Sequence, residues 1–104
     1  MAEEVRSGFV DVDGGRLFYE AAGSGPAVVL VHGGMWDRRM WDDQFLAFAE
    51  RHLVVRYDVR GFGRSDPPTA PYRNHEDLHA LVRALGIERF VPAGLSSGVS
   101  VARS

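Results

Sequence analysis

The chain has 104 residues, of which 45% are apolar and 25% charged, with a formal net charge of −2 and no cysteine. That is enough for one small globular domain burying roughly 65% of its unfolded surface, and the apolar content excludes a disordered chain. The near-neutral charge, with arginines interleaved among acids, excludes a phosphate-binding surface and so a nucleic-acid partner, and the missing cysteines exclude disulfides, thiolate zinc sites and a cysteine nucleophile.

The amino terminus, MAEEVRSG, lacks the apolar stretch of a secretory signal. No apolar run approaches the ~18–20 residues of a membrane span. A cytoplasmic protein with no membrane partner is the expectation, and no repeat or linker suggests a second domain.

Phe9-Val10-Asp11-Val12 alternates apolar and polar residues as a half-buried strand does. Asp13-Gly14-Gly15 offers a turn, and Arg16-Leu17-Phe18-Tyr19 runs back, which predicts an amino-terminal hairpin. Residues 27–32, AVVLVH, read as a strand covered on both faces. His32-Gly33-Gly34 then leaves it as a loop. Residues 40–50 turn helical, with Trp41, Phe45 and Phe48 on one face and Asp42 and Asp43 at the electropositive start. Residues 53–58, LVVRYD, predict the next strand, followed by a loop rich in Gly and Pro. A second helix is signalled by Asn74 as N-cap with Asp77 three residues on. Its apolar face is Leu78, Leu81, Val82 and Leu85, and Gly86 is its stop. Residues 89–93 predict a last strand, and residues 97–104 the start of another helix. Strands alternating with helices predict an α/β fold with a parallel sheet after the hairpin, in the order β-α-β-α-β.

The last strand runs into Gly94-Leu95-Ser96-Ser97-Gly98, a G-x-S-x-G arrangement. Glycines two before and two after a serine let the backbone bend sharply between strand and helix, which lifts the hydroxyl above the sheet. The first amides of the new helix point at the same spot and can stabilise an oxyanion. Ser96 is therefore the candidate nucleophile, with Gly94 and Gly98 as the elbow. The Ser97 amide is one oxyanion donor, and Gly34, or alternatively Met35, is the second.

AVVLVHGG, WDRRMWDDQF, VVRYDVRGFGRSDPP, LHALVRALGIERF and GLSSG together resemble the amino-terminal half of the α/β-hydrolase fold superfamily. The likeness is to its small-molecule esterase, enol-lactonase and C–C hydrolase relatives, and it runs from about residue 8 to the end. It implies a serine hydrolase acting on a small-molecule carbonyl substrate, with no cofactor and no metal. It also implies an acid and then a histidine after the serine.

Residues 97–104 contain neither. The expectation is a truncated serine hydrolase, one partial domain over residues 1–104, whose isolated chain is inactive. The alternative is a non-catalytic remnant, or one half of a complex completed by a partner chain. Val99 stands where the superfamily usually has glycine, and Pro92 removes a donor from a strand expected to be central. An open strand edge at residues 89–93, beside Phe90 and Val91, is a site for association.

His32 is expected to bond loop backbone, with a lesser reading as base. His52, His75 and His79 are expected to be solvated or capping. Asp58 and Arg60 resemble the superfamily's loop-bracing pair, Asp66 is expected to order the Pro-rich loop, and Trp36 and Trp41 are read as core in preference to pocket lining.

Overall fold

The computed structural model describes residues 4–32, 37–69 and 73–94. β1 (Arg6–Val12) and β2 (Gly15–Ala22) form the hairpin, with Val12 opposite Gly15 across the Asp13-Gly14 turn. Gly14 takes φ 84°, the sign that two-residue hairpin loops require. β2 is longer than its alternation suggested because it has a second partner. Its far half pairs antiparallel with β4 (Leu53–Tyr57), from Tyr19 opposite Tyr57 to Ala22 opposite Val54.

β3 (Ala27–Val31) is buried along its whole length and pairs parallel with β4 on one side and with β5 (Phe90–Gly94) on the other. The sheet order is β1-β2-β4-β3-β5. The fold is therefore α/β as expected, a mixed five-stranded sheet whose parallel part follows the hairpin.

The helices cover opposite faces, and β3 shows why. Val28 and Leu30 pack with Phe45 and Ala49 of α1 (Asp42–Ala49), while Val29 and Val31 pack with Leu78, Leu81 and Val82 of α2 (Asn74–Ala84). A strand buried on both sides must be apolar at every position, and each such side chain contributes roughly 1.5–3 kcal/mol relative to exposure.

The first helix departs from expectation. A short 3-10 turn, Arg38–Trp41, precedes α1, and Asp37 caps that turn by accepting from the Arg39 amide at 2.9 Å. Phe48 is 37% exposed, and the buried pair is Phe45 and Ala49. The chain passes close to the end of this helix at Gly23, where a Cβ would lie 2.2 Å from the His52 carbonyl and 2.5 Å from that of Ala49, so position 23 must be glycine. Phe48 is turned to the rim, edge-on to His52 at 6.3 Å between ring centres. Trp41 packs half-buried against the α1-side cluster, in line with the core reading.

The capping box of the second helix does not form. Arg73 occupies the cap position in extended conformation without a side-chain cap bond, and Asn74 is the first helical residue. Asp77 turns inward to Arg60 instead, because two charge-assisted bonds to a guanidinium outcompete one to a helix amide. The stop is as read. Gly86 takes φ 74°, its amide donates to the Arg83 carbonyl, and the Ile87 amide donates to the Val82 carbonyl.

β5 lies at the edge of the described sheet, and Val91 on it is 63% exposed. The Leu53 amide donates to the Pro26 carbonyl at 3.1 Å, so along β3 the alternate residues Val28 and Leu30 turn their backbone groups to β4, and Val29 turns its own to β5. In a parallel ladder the residue opposite Val29 then faces away, and that residue is Pro92. The donor that proline lacks is one the β3–β5 ladder does not use. That is why the strand accepts it.

Candidate functional site

The chain leaves β3 to one side, through α1 to β4, and then crosses back through α2 to β5 on the other side. The carboxyl ends of β3 and β5 therefore flank the point where strand order reverses, which is where open α/β sheets bind ligands. Val31 stands opposite Gly94 at the last rung. The residues that follow in sequence are His32-Gly33-Gly34 from one strand and Leu95-Ser96-Ser97 from the other. Ser96, Ser97, Gly98 and Val99, with Gly34, Met35 and Trp36, lie outside the described residues, as does the helix expected over residues 97–104. Of the elbow residues, Gly94 is described, as the half-buried end of β5.

His32 is buried at the end of β3. Its Nε2 accepts the Val59 amide at 2.8 Å, and its ring meets Phe62 edge-on at 5.4 Å. A nitrogen that accepts a backbone N–H has its lone pair engaged and does not take a serine's proton. The backbone-bonding reading of His32 is the one observed. His52 sits half-buried at the amino end of β4, and its Nδ1 is enclosed, so it is neither solvated nor a cap. His79 is exposed, with its ring edge-on to Phe90 at 6.2 Å. His75 is half-buried in the first turn of α2.

Asp58 and Arg60 each brace the structure, but not as a pair with each other. Asp58 is fully buried just past β4. Its Oδ1 accepts the Arg38 amide at 2.7 Å, and its Oδ2 accepts Arg38 Nη1 at 2.8 Å and the Arg64 amide at 2.9 Å. Gly63 presses on it so closely that a Cβ would lie 2.3 Å from the carboxylate, with φ +50° besides. Arg60 instead reaches across to Asp77 with bonds of 3.0 and 2.8 Å. Burial pushes the Asp77 carboxyl above its ordinary value, and the Arg60 guanidinium draws it back. Burial likewise raises the nearby Tyr57 phenol, with the Asp77 charge adding to it. Asp66 ties the Pro-rich loop to β2 as expected, its Oδ2 accepting the Arg16 amide at 3.0 Å and its own amide donating to the Arg16 carbonyl. Ser65 links the same parts, accepting the Phe18 amide at 2.9 Å and donating to the Asp58 carbonyl.

Sequence reasoning missed Arg38, Gly63 and Ser65. The only signal for them was an acid followed closely by two glycines and a serine, in YDVRGFGRS. Nothing local marks Arg38 as the partner of Asp58, twenty residues away. Among the described residues no group of three or more His, Asp or Glu is placed to hold a metal ion. No helix among them is long and apolar enough to cross a membrane.

With this geometry in view, the likeness to known proteins is decisive. A profile of the "Alpha/beta hydrolase family" matches residues 28–103. The chain belongs to that family.

Among its relatives, the soluble epoxide hydrolase of a Corynebacterium species is 32% identical over 98% of this chain and 37% of its own length. The solved structure of an epoxide hydrolase from an endophytic Streptomyces superposes with a TM-score of 0.88 at 36% identity, covering 95% of this chain and 32% of that one. A hydrolase from Pseudomonas aeruginosa gives a TM-score of 0.82 at 34% identity, with 92% and 38% covered. The chain thus spans about a third of the length of the relatives it matches.

Proposed function

We propose that the chain carries the nucleophile and oxyanion donors of a serine hydrolase that cleaves a small ester, lactone or related carbonyl compound. Ser96 attacks the carbonyl carbon, and the amides of Ser97 and Gly34 (or Met35) hold the oxyanion. The observation that supports this is the β3–β5 register, in which the two strands that lead into these residues end side by side at the sheet's switch point.

Serine at the centre of the elbow bears on the substrate class. A serine that opens an epoxide leaves an ether, which water does not cleave, so turnover stops after one event. A serine that attacks a carbonyl leaves an acyl ester, which water hydrolyses. The epoxide activity in the names of two relatives is therefore not carried over to this chain.

No acid or histidine lies between Ser97 and Ser104, and His32 Nε2 is engaged by Val59. The isolated polypeptide is expected to turn over little or no ester, and a fluorophosphonate probe to label Ser96 very weakly. Adding a polypeptide that supplies an aspartate and a histidine restores ester cleavage, and Ser96→Ala abolishes it. Epoxide opening without ester cleavage in the reconstituted protein defeats this reading, as does ester cleavage that survives Ser96→Ala.

A second reading, a part of a two-polypeptide assembly with no chemistry of its own, is favoured by the edge of β5. Exposed Val91 lies on one face of that edge strand, and on its other face is a groove lined by His79, Val82, Arg83, Ile87, Glu88 and Phe90. That reading predicts a stable complex whose formation Ser96→Ala leaves unchanged and in which no ester is cleaved.

A further inference from the structure

On the α2 side of the sheet the helical cover runs out before the sheet does. α2 ends at Ala84, and Gly86 turns the chain so that the Ile87 amide meets the Val82 carbonyl. Leu85 and Ile87 thereby close over the first half of β4, where Leu53 and Val55 face the helix. The next residue on this face, opposite Val55, is Ala21 of β2, too short to fill the space the helix leaves. A cavity of about 90 Å³ results, with Ala21, Leu53, Val55, Leu85 and Ile87 as its apolar lining. It lies at the end of the sheet where Leu53 pairs with Ala27, whereas the candidate nucleophile follows the opposite end, past the Val31–Gly94 rung.

Arg6 and Tyr19 complete the lining. Arg6 stands opposite Ala21 and Gly8 opposite Tyr19, so the two polar side chains are diagonal neighbours on one face of the hairpin. Gly8 leaves room beside the Tyr19 ring, which a Cβ there would already touch at 3.5 Å. Arg6 is exposed, and none of the ion pairs among the described residues includes it. It is the one charged residue of the lining. An apolar recess with a single cation at its rim is complementary to a molecule with an apolar tail and one negative charge.

We infer that this recess is a second ligand site, for a short aliphatic monocarboxylate. The Arg6 guanidinium, with the Tyr19 hydroxyl beside it, donates to the carboxylate, and the alkyl tail lies between Leu53, Val55, Leu85 and Ile87. A guanidinium fork matches the two oxygens of a carboxylate, whereas an inorganic anion has no apolar part for the walls to cover. At ~30 Å³ for each small heavy group, the cavity takes a tail of about three carbons, the length in butyrate. Each methylene withdrawn from water tightens binding about fourfold until the space is full. The inference stands apart from the hydrolase reading, since no residue of the candidate site takes part.

The test is a titration of the isotope-labelled 104-residue chain with sodium butyrate at neutral pH and constant ionic strength, followed by amide chemical shifts. Saturable shifts are expected at Ala21, Val55 and Ile87, with a Kd on the order of 1–10 mM. Acetate, two methylenes shorter, is expected to bind about tenfold more weakly. Neutral butan-1-ol, which keeps the tail and loses the charge, is expected to bind about fivefold more weakly. Arg6→Gln is expected to weaken butyrate by at least about fivefold. Arg16→Gln removes the same charge from the opposite face of the hairpin, where Arg16 lies over Phe9, and is expected to leave the affinity unchanged. Ile87→Trp fills the recess from its half-buried wall and is expected to abolish the saturable shifts. Shifts that fail to saturate by about 100 mM overturn the proposal. Equal weakening by the two arginine variants overturns it too, as does butyrate affinity retained in Ile87→Trp. Saturable shifts centred on His32 and Gly94 would place butyrate at the candidate hydrolase site and likewise defeat it.

Discussion

Arg60 grips Asp77 through two bonds, Nε to Oδ2 at 3.0 Å and Nη2 to Oδ1 at 2.8 Å, with the two side chains only 3% and 7% exposed. The pair joins the loop after β4 to the first turn of α2. Removing one member leaves the other charge buried and unpaired, so Asp77→Ala is expected to destabilise the fold by about 3–5 kcal/mol. The double replacement Arg60→Met with Asp77→Leu is expected to recover most of that loss. Urea unfolding of the three proteins checks both, and a single variant as stable as the parent would show that the pair contributes nothing.

Acid titration separates two carboxylates by sign. Asp37 is lowered to about 2 by its hydrogen bonds from Arg39, so its stabilisation is complete above the ordinary value near 3.8 and is lost as pH falls toward 2. Asp77 is raised by burial, so its contribution is present below about 3.8 and declines as pH climbs through its folded value. Asp37→Asn is therefore expected to flatten the loss of stability between about pH 4 and pH 2. Asp77→Asn is expected to remove a decline that begins near pH 4 and runs upward. Thermal midpoints across pH 2–7 read each slope, and identical profiles for the two variants would refute the assignment.

Gly63 and Gly86 both hold positive φ, at 50° and 74°, but only one is crowded. A Cβ on Gly63 meets the Asp58 carboxylate, whereas nothing lies within 4 Å of a Cβ on Gly86. Gly86→Ala is expected to lose about 1 kcal/mol, from backbone conformation alone. Gly63→Ala adds the clash and displaces a buried anion, for a total of about 3 kcal/mol or more. Equal losses in chemical denaturation would mean that the contact with Asp58 relaxes freely.

At the sheet edge, Val91 is expected to govern self-association rather than stability. Val91→Lys places a charge on an exposed strand position, the usual natural defence of an edge. Sedimentation should show fewer oligomers at high concentration, with the unfolding midpoint changed by no more than about 0.5 kcal/mol equivalent. Unaltered association would assign any oligomer to another surface.

What was legible in the sequence was whatever depends on neighbours along the chain. The all-apolar run at residues 27–31 announced a strand buried on both faces, the Asp-Gly turn its hairpin, Gly86 its helix stop, and the order of the motifs along the chain its family. The tertiary structure alone decided the partners of the polar groups. Asp77 reads as a capping acid until Arg60, seventeen residues away, claims it. Asp58 and Arg60 read as a pair until the fold brings Arg38 to one and Asp77 to the other. Pro92 reads as a defect until the β3–β5 register turns its missing donor outward. Apolar periodicity is local and propagates residue by residue, so it survives in one dimension. Charge pairing and ladder direction are set only when distant segments meet, and the bond that wins is the one with the best geometry at that meeting.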